Sequence, residues 1–492
     1  MHHVANPLPP IRSKAQLIVY LREAAILEHQ FMCQYLYACF SLKKDPDRTC
    51  SDAQFEHVRR WASTIYMIAR QEMEHLSVVN SILTAVGGMP YYGHLGRFPT
   101  QTRWYTSEAL TAKRTADMPP PCDIPFHLER FSVVTARRYA CMESPHLAWV
   151  TDRDRETLLA WCFQQPDGQC PSIGADAEVP VARSLLAELA APSPAQAAPA
   201  EVELGTIQDM YEAGREGLIY LEATLGAPAL WSGHCSGQSN IPSEYNIYLF
   251  PICDLATALA GIKLVTSQGE GLDAPPGADS HYQLFVDIAR DYEALLAADP
   301  TFEASLPLPL DPTVDGYRDP TTAQASEAFH VGYHALLLML TGYYQLYTQA
   351  QWSTSPYLLK ALEQNAFAPV MTMLVRSLAE VMAGLPANDG GPAGVSFDLT
   401  EAELAELADA ASPRYRDIGT YLRPLDTVTR MLADLLSKPM PEPLRPKLAF
   451  IVENMTRVVR NVVYNYQRGI YPRFDPNNPA INCTPSTGCD CE

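Results

Sequence analysis

Gln71-Glu72-Met73-Glu74-His75-Leu76 is the stretch on which the reading of this chain turns. At roughly 100° per residue, Glu72 and His75 fall on the apolar stripe formed by Ile65, Ile68, Ala69, Leu76, Val79 and Leu83. The stripe belongs to a helix predicted over residues 52–86 and stopped by Gly87-Gly88-Met89-Pro90. Upstream, a helix predicted over 14–42 carries Glu28 in the middle of a second stripe made by Leu21, Ala24, Ala25, Phe31, Met32, Tyr35 and Cys39. An ionised carboxylate facing a core unpaired costs several kcal/mol, so these groups need a shared counter-charge, and a metal ion supplies one. A lone Glu followed on the next helix by Glu-x-x-His is also what the first half of a di-metal four-helix bundle requires. The bland alternative is a chance spacing with a hydrogen-bonded core histidine, and it is the coincidence with Glu28 that weighs against it. His29 and Glu74 lie off the stripes and are expected to face solvent.

Outward from these helices the periodicity stays helical. Segments are expected at 128–143, 151–163, 206–225, 254–267, 280–297, 322–351, 355–384 and 400–468, and few stretches alternate with period two. The class is all-α. Residues 89–127, with Trp104 and Tyr105, read as a long surface excursion that lines either an entrance or a packing surface. Ala191–Ala200, rich in Pro and Ala, reads as a semi-stiff linker. The division expected is a bundle with insertions over 1–350 and a C-terminal helical region over 351–492.

Composition sets outer limits. With 492 residues, 47% hydrophobic and 19% charged, the chain can bury a large core. A net charge of −20 disfavours phosphate backbones and anionic lipid surfaces, so neither nucleic acid nor membrane is expected as a partner. No apolar run is long enough to span a bilayer. Met1–Pro7 shows no charged lead followed by an apolar stretch, so the expectation is a cytoplasmic protein. The twelve cysteines are too sparse and irregular for a disulfide scaffold. Cys33 and Cys39 read as small core hydrophobes, and Cys483, Cys489 and Cys491 as a tail with incidental thiols.

The second half of a symmetric site should add another Glu and another Glu-x-x-His. One candidate set is Glu270, in Gln268-Gly269-Glu270-Gly271, with His281, brought near it by a tight turn. The other is Glu327-Ala328-Phe329-His330 on a long apolar helix, with His334 one turn on. Spacing alone favours Glu327 and His330. Glu212 and Glu216 lie opposite the stripe of Ile207, Met210, Tyr211, Leu218 and Leu221 and are expected to be solvated.

Several stretches, in order along the chain, resemble the ferritin-like domain of the iminophenyl-pyruvate dimer synthase (chromopyrrolate synthase) family. They include Leu27-Glu28-His29 with Tyr35-Leu36-Tyr37-Ala38, then Gln71–Leu76 with Val79-Asn80 and Gly87-Gly88-Met89-Pro90. Glu143-Ser144-Pro145, Thr206-Ile207 with Met210-Tyr211, Gln268–Gly271, and Ser280-His281-Tyr282 with Phe285 follow. The resemblance covers about residues 14–345. It implies a ferritin-like four-helix bundle with long insertions, and Glu28, Glu72, His75, Glu270 and His281 as ligands and catalytic centre. Ala278 stands three residues before His281, so this set is one carboxylate short of a symmetric site. Either the pair of metals is asymmetric, with water filling a position, or one metal is held firmly and the second loosely, and an open coordination position is what O2 or peroxide chemistry needs. The resemblance further implies iron, as two ions, with manganese the alternative. The activity implied is a secondary-metabolic oxidoreductase acting on an amino-acid-derived small molecule, with oxidative coupling of an aromatic 2-oxo or imino acid as its sharpest form. Tyr35, one to two turns from Glu28 on the same face, is a core residue, or else a redox-active residue or a support of that centre. Oligomeric state stays open, a homodimer being one outcome. Two other classes remain: a ferroxidase or storage bundle, which would assemble into shells, and a metal-free scaffold, in which alanine at Glu28 or Glu72 would lose no metal.

Overall fold

The computed structural model describes residues 10–92, 98, 126–145, 207–233, 235, 249–271, 279–348, 361–362, 364–409 and 412–468. The helix expected at 151–163, the linker at 191–200, Trp104, Tyr105 and the three C-terminal cysteines lie outside them.

The first two helices are fixed at their starts by the same device. In α1 (Lys14–Ser41) and α2 (Asp52–Ala85) a serine N-cap and a glutamine three residues on bond each other's backbone amides, Ser13 with Gln16 and Ser51 with Gln54. They pack along each other, and α3 (Val133–Met142), α4 (Ile207–Leu225), α5 (Leu255–Gly269) and α6 (His281–Ala298) complete the bundle around them. Asp254 caps α5 with Thr257, and Ser280 caps α6. The end of α5 is set by Gly271, whose φ of +81° is a left-handed conformation. A Cβ there would also stand 3.1 Å from the Ser280 side chain, so glycine lets the end of α5 and the start of α6 meet.

A second layer covers the outer side of α1 and α2. It consists of α7 (Pro320–Thr348), a π-helical segment Ala366–Arg376 containing Pro369, α8 (Ser377–Met382), α9 (Glu401–Ala408), α10 (Gly419–Leu435) and α11 (Arg445–Gln467). The long helix expected at 400–468 is thus three helices. Prolines at 413 and 441, which cannot supply a helix-interior amide, stand in the breaks.

Long-range contacts, from the second layer for His29 and from α5 for Glu74, correct two expectations. His29 is 0% and Glu74 1% exposed, not solvated. His29 Nε2 and the Tyr333 hydroxyl of α7 hydrogen bond at 2.5 Å, and Glu74 accepts from Gln268 Nε2 at 3.2 Å. An amphipathic reading assumes one packed face, whereas α1 has neighbours on both. Cys33 and Cys39 are buried thiols as expected, but a Cys235–Cys253 disulfide joins two segments that the cysteine spacing did not single out, and Cys141 is disulfide-bonded as well. No described helix is long and apolar enough to cross a membrane.

Candidate metal centre

Six ionisable side chains, each at most 6% exposed, converge where α1, α2, α3, α5 and α6 meet: Glu28, Glu72, His75, Glu143, Glu270 and His281. Glu72 stands between the two histidines. Its Oε2 is 3.4 Å from His75 Nδ1 and its Oε1 is 2.8 Å from His281 Nδ1. On the outer sides, Glu28 Oε2 is 3.4 Å from His75 Nδ1, and Glu143 Oε2 is 3.7 Å from His281 Nδ1. The arrangement is two half-sites, one of Glu28 and His75 and the other of Glu143 and His281, sharing Glu72. The imidazole rings lie 5.3 Å apart at 25°. Glu28, Glu72, His75, Glu143 and Glu270 also line one small cavity of about 20 Å³.

Both imidazoles turn Nδ1 inward because their Nε2 atoms are engaged elsewhere. His75 Nε2 donates to Gln268 Oε1 at 2.9 Å, and Gln268 is oriented in turn by donating its own amide to Glu74. His281 Nε2 donates to Gln71 Oε1 at 3.1 Å. With the proton held on Nε2, Nδ1 is left as a lone-pair donor, as in metal-binding histidines whose other nitrogen is hydrogen bonded. The outer carboxylates are tethered by one oxygen each. Glu28 Oε1 accepts from the Tyr211 hydroxyl, Glu143 Oε1 from the Tyr35 hydroxyl at 2.5 Å, and Glu270 Oε1 from the first-turn amide of Gln208 in α4 at 2.8 Å. Tyr35 is therefore both a core residue and a support of the centre.

Charge balance points to a cation. Burial pushes Glu28 up to about 8, and burial with the Glu72 charge raises Glu143. Burial would raise Glu72 too, but the two imidazoles outweigh it and hold that carboxyl below the usual range. Burial opposes charge on the imidazoles, yet the carboxylates raise His75 well above its ordinary value and His281 to about 9. Protons thus supply the positive charge that four buried carboxylates demand, and a metal ion displaces such protons when it binds. Glu72 Oε1 and His281 Nδ1, moreover, are buried and make no hydrogen bond in spite of their closeness. Glu72, His75 and His281 each offer a ligand atom within 4.8 Å of the others, and could hold a metal ion.

The structure thus brings together all five residues of the Glu28, Glu72, His75, Glu270 and His281 set. It does not bring in the alternative favoured by spacing. Glu327 is exposed on α7, and His330 faces Glu403 at 2.9 Å in the second layer. The carboxylate missing from the sequence set is Glu143, the C-cap residue of α3. An acid directly after an amphipathic helix and before Ser144-Pro145 was the signal available for it.

A family model described as Ferritin-like matches residues 21–290. The chain belongs to the ferritin-like family. The matched span contains all six convergent side chains and ends before the second layer begins. Among characterised proteins, this ferritin-like chain is 25% identical over 455 residues to dichlorochromopyrrolate synthase of Lentzea aerocolonigenes, covering 84% of this chain and 39% of that one. It is 25% identical over 415 residues to 2-imino-3-(indol-3-yl)propanoate dimerase of Chromobacterium violaceum, covering 77% and 33%. The aligned part thus spans well under half the length of these relatives. A solved ferritin-like protein from Caulobacter vibrioides matches with a TM-score of 0.39 and 19% identity over 68% of this chain and 89% of that one.

Proposed function

We propose that the chain is a non-haem iron oxidoreductase of secondary metabolism, holding two ions between Glu28, Glu72, His75, Glu143, Glu270 and His281. The observation that carries the reading is the pair of half-sites sharing Glu72, each with an inward Nδ1 and a tethered outer carboxylate. Glu72 would be common to both halves. Glu28 and His75 would complete one half, Glu143 and His281 the other, with Glu270 beside them. Hard carboxylates with imidazole suit iron or manganese better than a soft, thiol-seeking metal. Iron bound there supplies electron transfer and exchangeable coordination positions for O2 or peroxide.

The chain's own part is positional. Gln71 and Gln268 keep the histidine protons on Nε2, while Tyr35, Tyr211 and the Gln208 amide leave one oxygen of each outer carboxylate free to turn inward. The cavity of about 20 Å³ between these ligands is of the size of a bound ion and its water rather than of an organic molecule, so the substrate would have to meet the centre from outside it. From the names of the relatives we take the substrate class, an amino-acid-derived imino or 2-oxo acid undergoing oxidative coupling.

Elemental analysis of purified wild type, Glu143→Ala and His281→Ala tests this. About two irons per chain are expected in wild type, as in other bundles of this ligand type, falling to one or fewer in each variant. Iron-loaded wild type should then consume O2 with an aromatic imino acid present. Wild type that stays free of iron and manganese after supplemented growth would sink the reading.

A further inference from the structure

Helix α2 has two working faces. Opposite the stripe carrying Glu72 and His75, residues Phe55, Arg59, Tyr66, Arg70, Met73 and Ser77 recur at helical spacing and face the second layer. Between them, the outer side of α1, α7 and the π-helical segment lies a cavity of about 720 Å³. That volume is in the range of small-molecule sites, whereas the space at the metal centre is about 20 Å³. None of the six convergent ligands lines the larger cavity.

Its walls are apolar and polarisable: Met32, Met67 and Met371 interleave with Phe40, Tyr333 and Leu336. Its charges run against the rest of the molecule. The chain has 36 basic and 56 acidic residues, yet the lining holds Lys43, Lys44, Arg59, Arg70 and Arg376 against a single acid, Glu380. Lys43 is paired with Asp47, Arg59 with Glu56, and Arg376 with Glu380. Lys44 and Arg70 have no carboxylate partner among the described residues, and Arg70 is only partly exposed. Lys44 Nζ lies 5.8 Å and the Arg376 guanidinium 4.0 Å from the Tyr66 ring centre, so the positive charges gather around one end, one turn of α2 from Arg70. The π-helical segment that closes one side is a rare geometry concentrated at functional sites.

We infer that this cavity is a second binding site, separate from the metal centre, for a largely apolar monocarboxylate whose carboxylate meets Arg70 and Lys44 and whose body fills the aromatic and methionine-lined interior. An aromatic acid and a fatty acid share that chemistry. The site does not rest on the metal being present.

The test is calorimetric titration of the full chain, as purified and after chelation, with 2-naphthoate and with dodecanoate, each beside its neutral alcohol. Both preparations should bind an acid, and about tenfold or more tightly than the matching alcohol, the effect of one charge-assisted contact in a partly buried site. Tighter binding of naphthoate or of dodecanoate names the source. Arg70→Gln should remove the preference for acid over alcohol while retaining alcohol binding. Leu336→Trp, which pushes an indole into the interior, should weaken binding of all four probes while iron content and helical circular dichroism stay at wild-type values. No binding of either acid, equal binding of acid and alcohol, or an unchanged preference in Arg70→Gln would overturn the inference. Acid binding by a chain that holds no iron or manganese as purified, even after supplemented growth, would count against the metal reading alone.

Discussion

Two Glu-x-x-His stretches occur on long apolar helices of this chain, and the structure treats them in opposite ways. On α2, Glu72 and His75 are 1% and 2% exposed and face carboxylates from other elements. On α7, Glu327 is exposed, and the His330 side chain, 13% exposed, turns to Glu403. His334 stands 3.4 Å from both Glu403 and Glu406, and Arg414 pairs with Glu406. The second-layer cluster is therefore charge-balanced by its own side chains: two carboxylates, two imidazoles and a guanidinium, all partly in contact with water. The bundle cluster has four carboxylates against two imidazoles, and neither Lys nor Arg lines its cavity. Spacing only places two groups on one face. What the neighbouring elements bring decides whether that face needs an ion.

The largest expected effect breaks or keeps this contrast directly. His75→Ala should lower iron affinity by more than about 100-fold, beyond the 10–100-fold that outer-shell partners typically cost, while Glu327→Ala and His330→Ala should retain wild-type iron content by elemental analysis. Iron lost from His330→Ala would erase the distinction. Next in size is Gln268→Ala, which frees His75 Nε2 and removes the acceptor that fixes its tautomer. Its iron affinity should fall about 10–100-fold, measured by competition with a chelator, with the fold intact by circular dichroism. Tyr35→Phe removes only one tether from Glu143, a contact made with or without the metal, and should cost less, a few-fold in the same assay.

How legible all this was from the residues follows the same line. The starts of the first two helices, read at 14 and 52 from periodicity, were right, and the stripes correctly turned Glu28, Glu72 and His75 inward. His29 and Glu74 were misplaced because burial on the second side of α1 and α2 comes from chain about 200 to 300 residues away, as the 304-residue separation of His29 and Tyr333 illustrates. Glu143 was quoted only within a resemblance: it caps a short helix, so no stripe marks it. Gln71 and Gln268 were likewise visible, but a neutral amide reveals its role only when the imidazole it holds is in place. The larger cavity was hidden for a related reason. A helix with two occupied faces has no single apolar stripe, and the Phe55–Ser77 face mixes arginines with aromatics.

The smallest effect sharpens the other side of the comparison, since a cluster balanced by its own side chains should carry their titration into the stability of the fold. The Glu403 hydrogen bond raises His330 above its ordinary value; burial would raise Glu403, but His330 and the Thr400 contacts bring it down to about 2. A raised imidazole contributes stability that is fully present below its unfolded value near 6.5 and is lost as pH rises through the higher folded value. A depressed carboxyl contributes stability present above its unfolded value near 4.5 and lost as pH falls towards 2. Both contributions coexist only between about pH 4.5 and 6.5. The pair is largely but not wholly buried, so its worth there is about 1 kcal/mol. His330→Ala should therefore lower the urea midpoint at pH 6 by an amount corresponding to about 1 kcal/mol and by markedly less at pH 9. An equal loss at both values would mean that His330 acts by packing, and that the second-layer cluster is not held by its own charges.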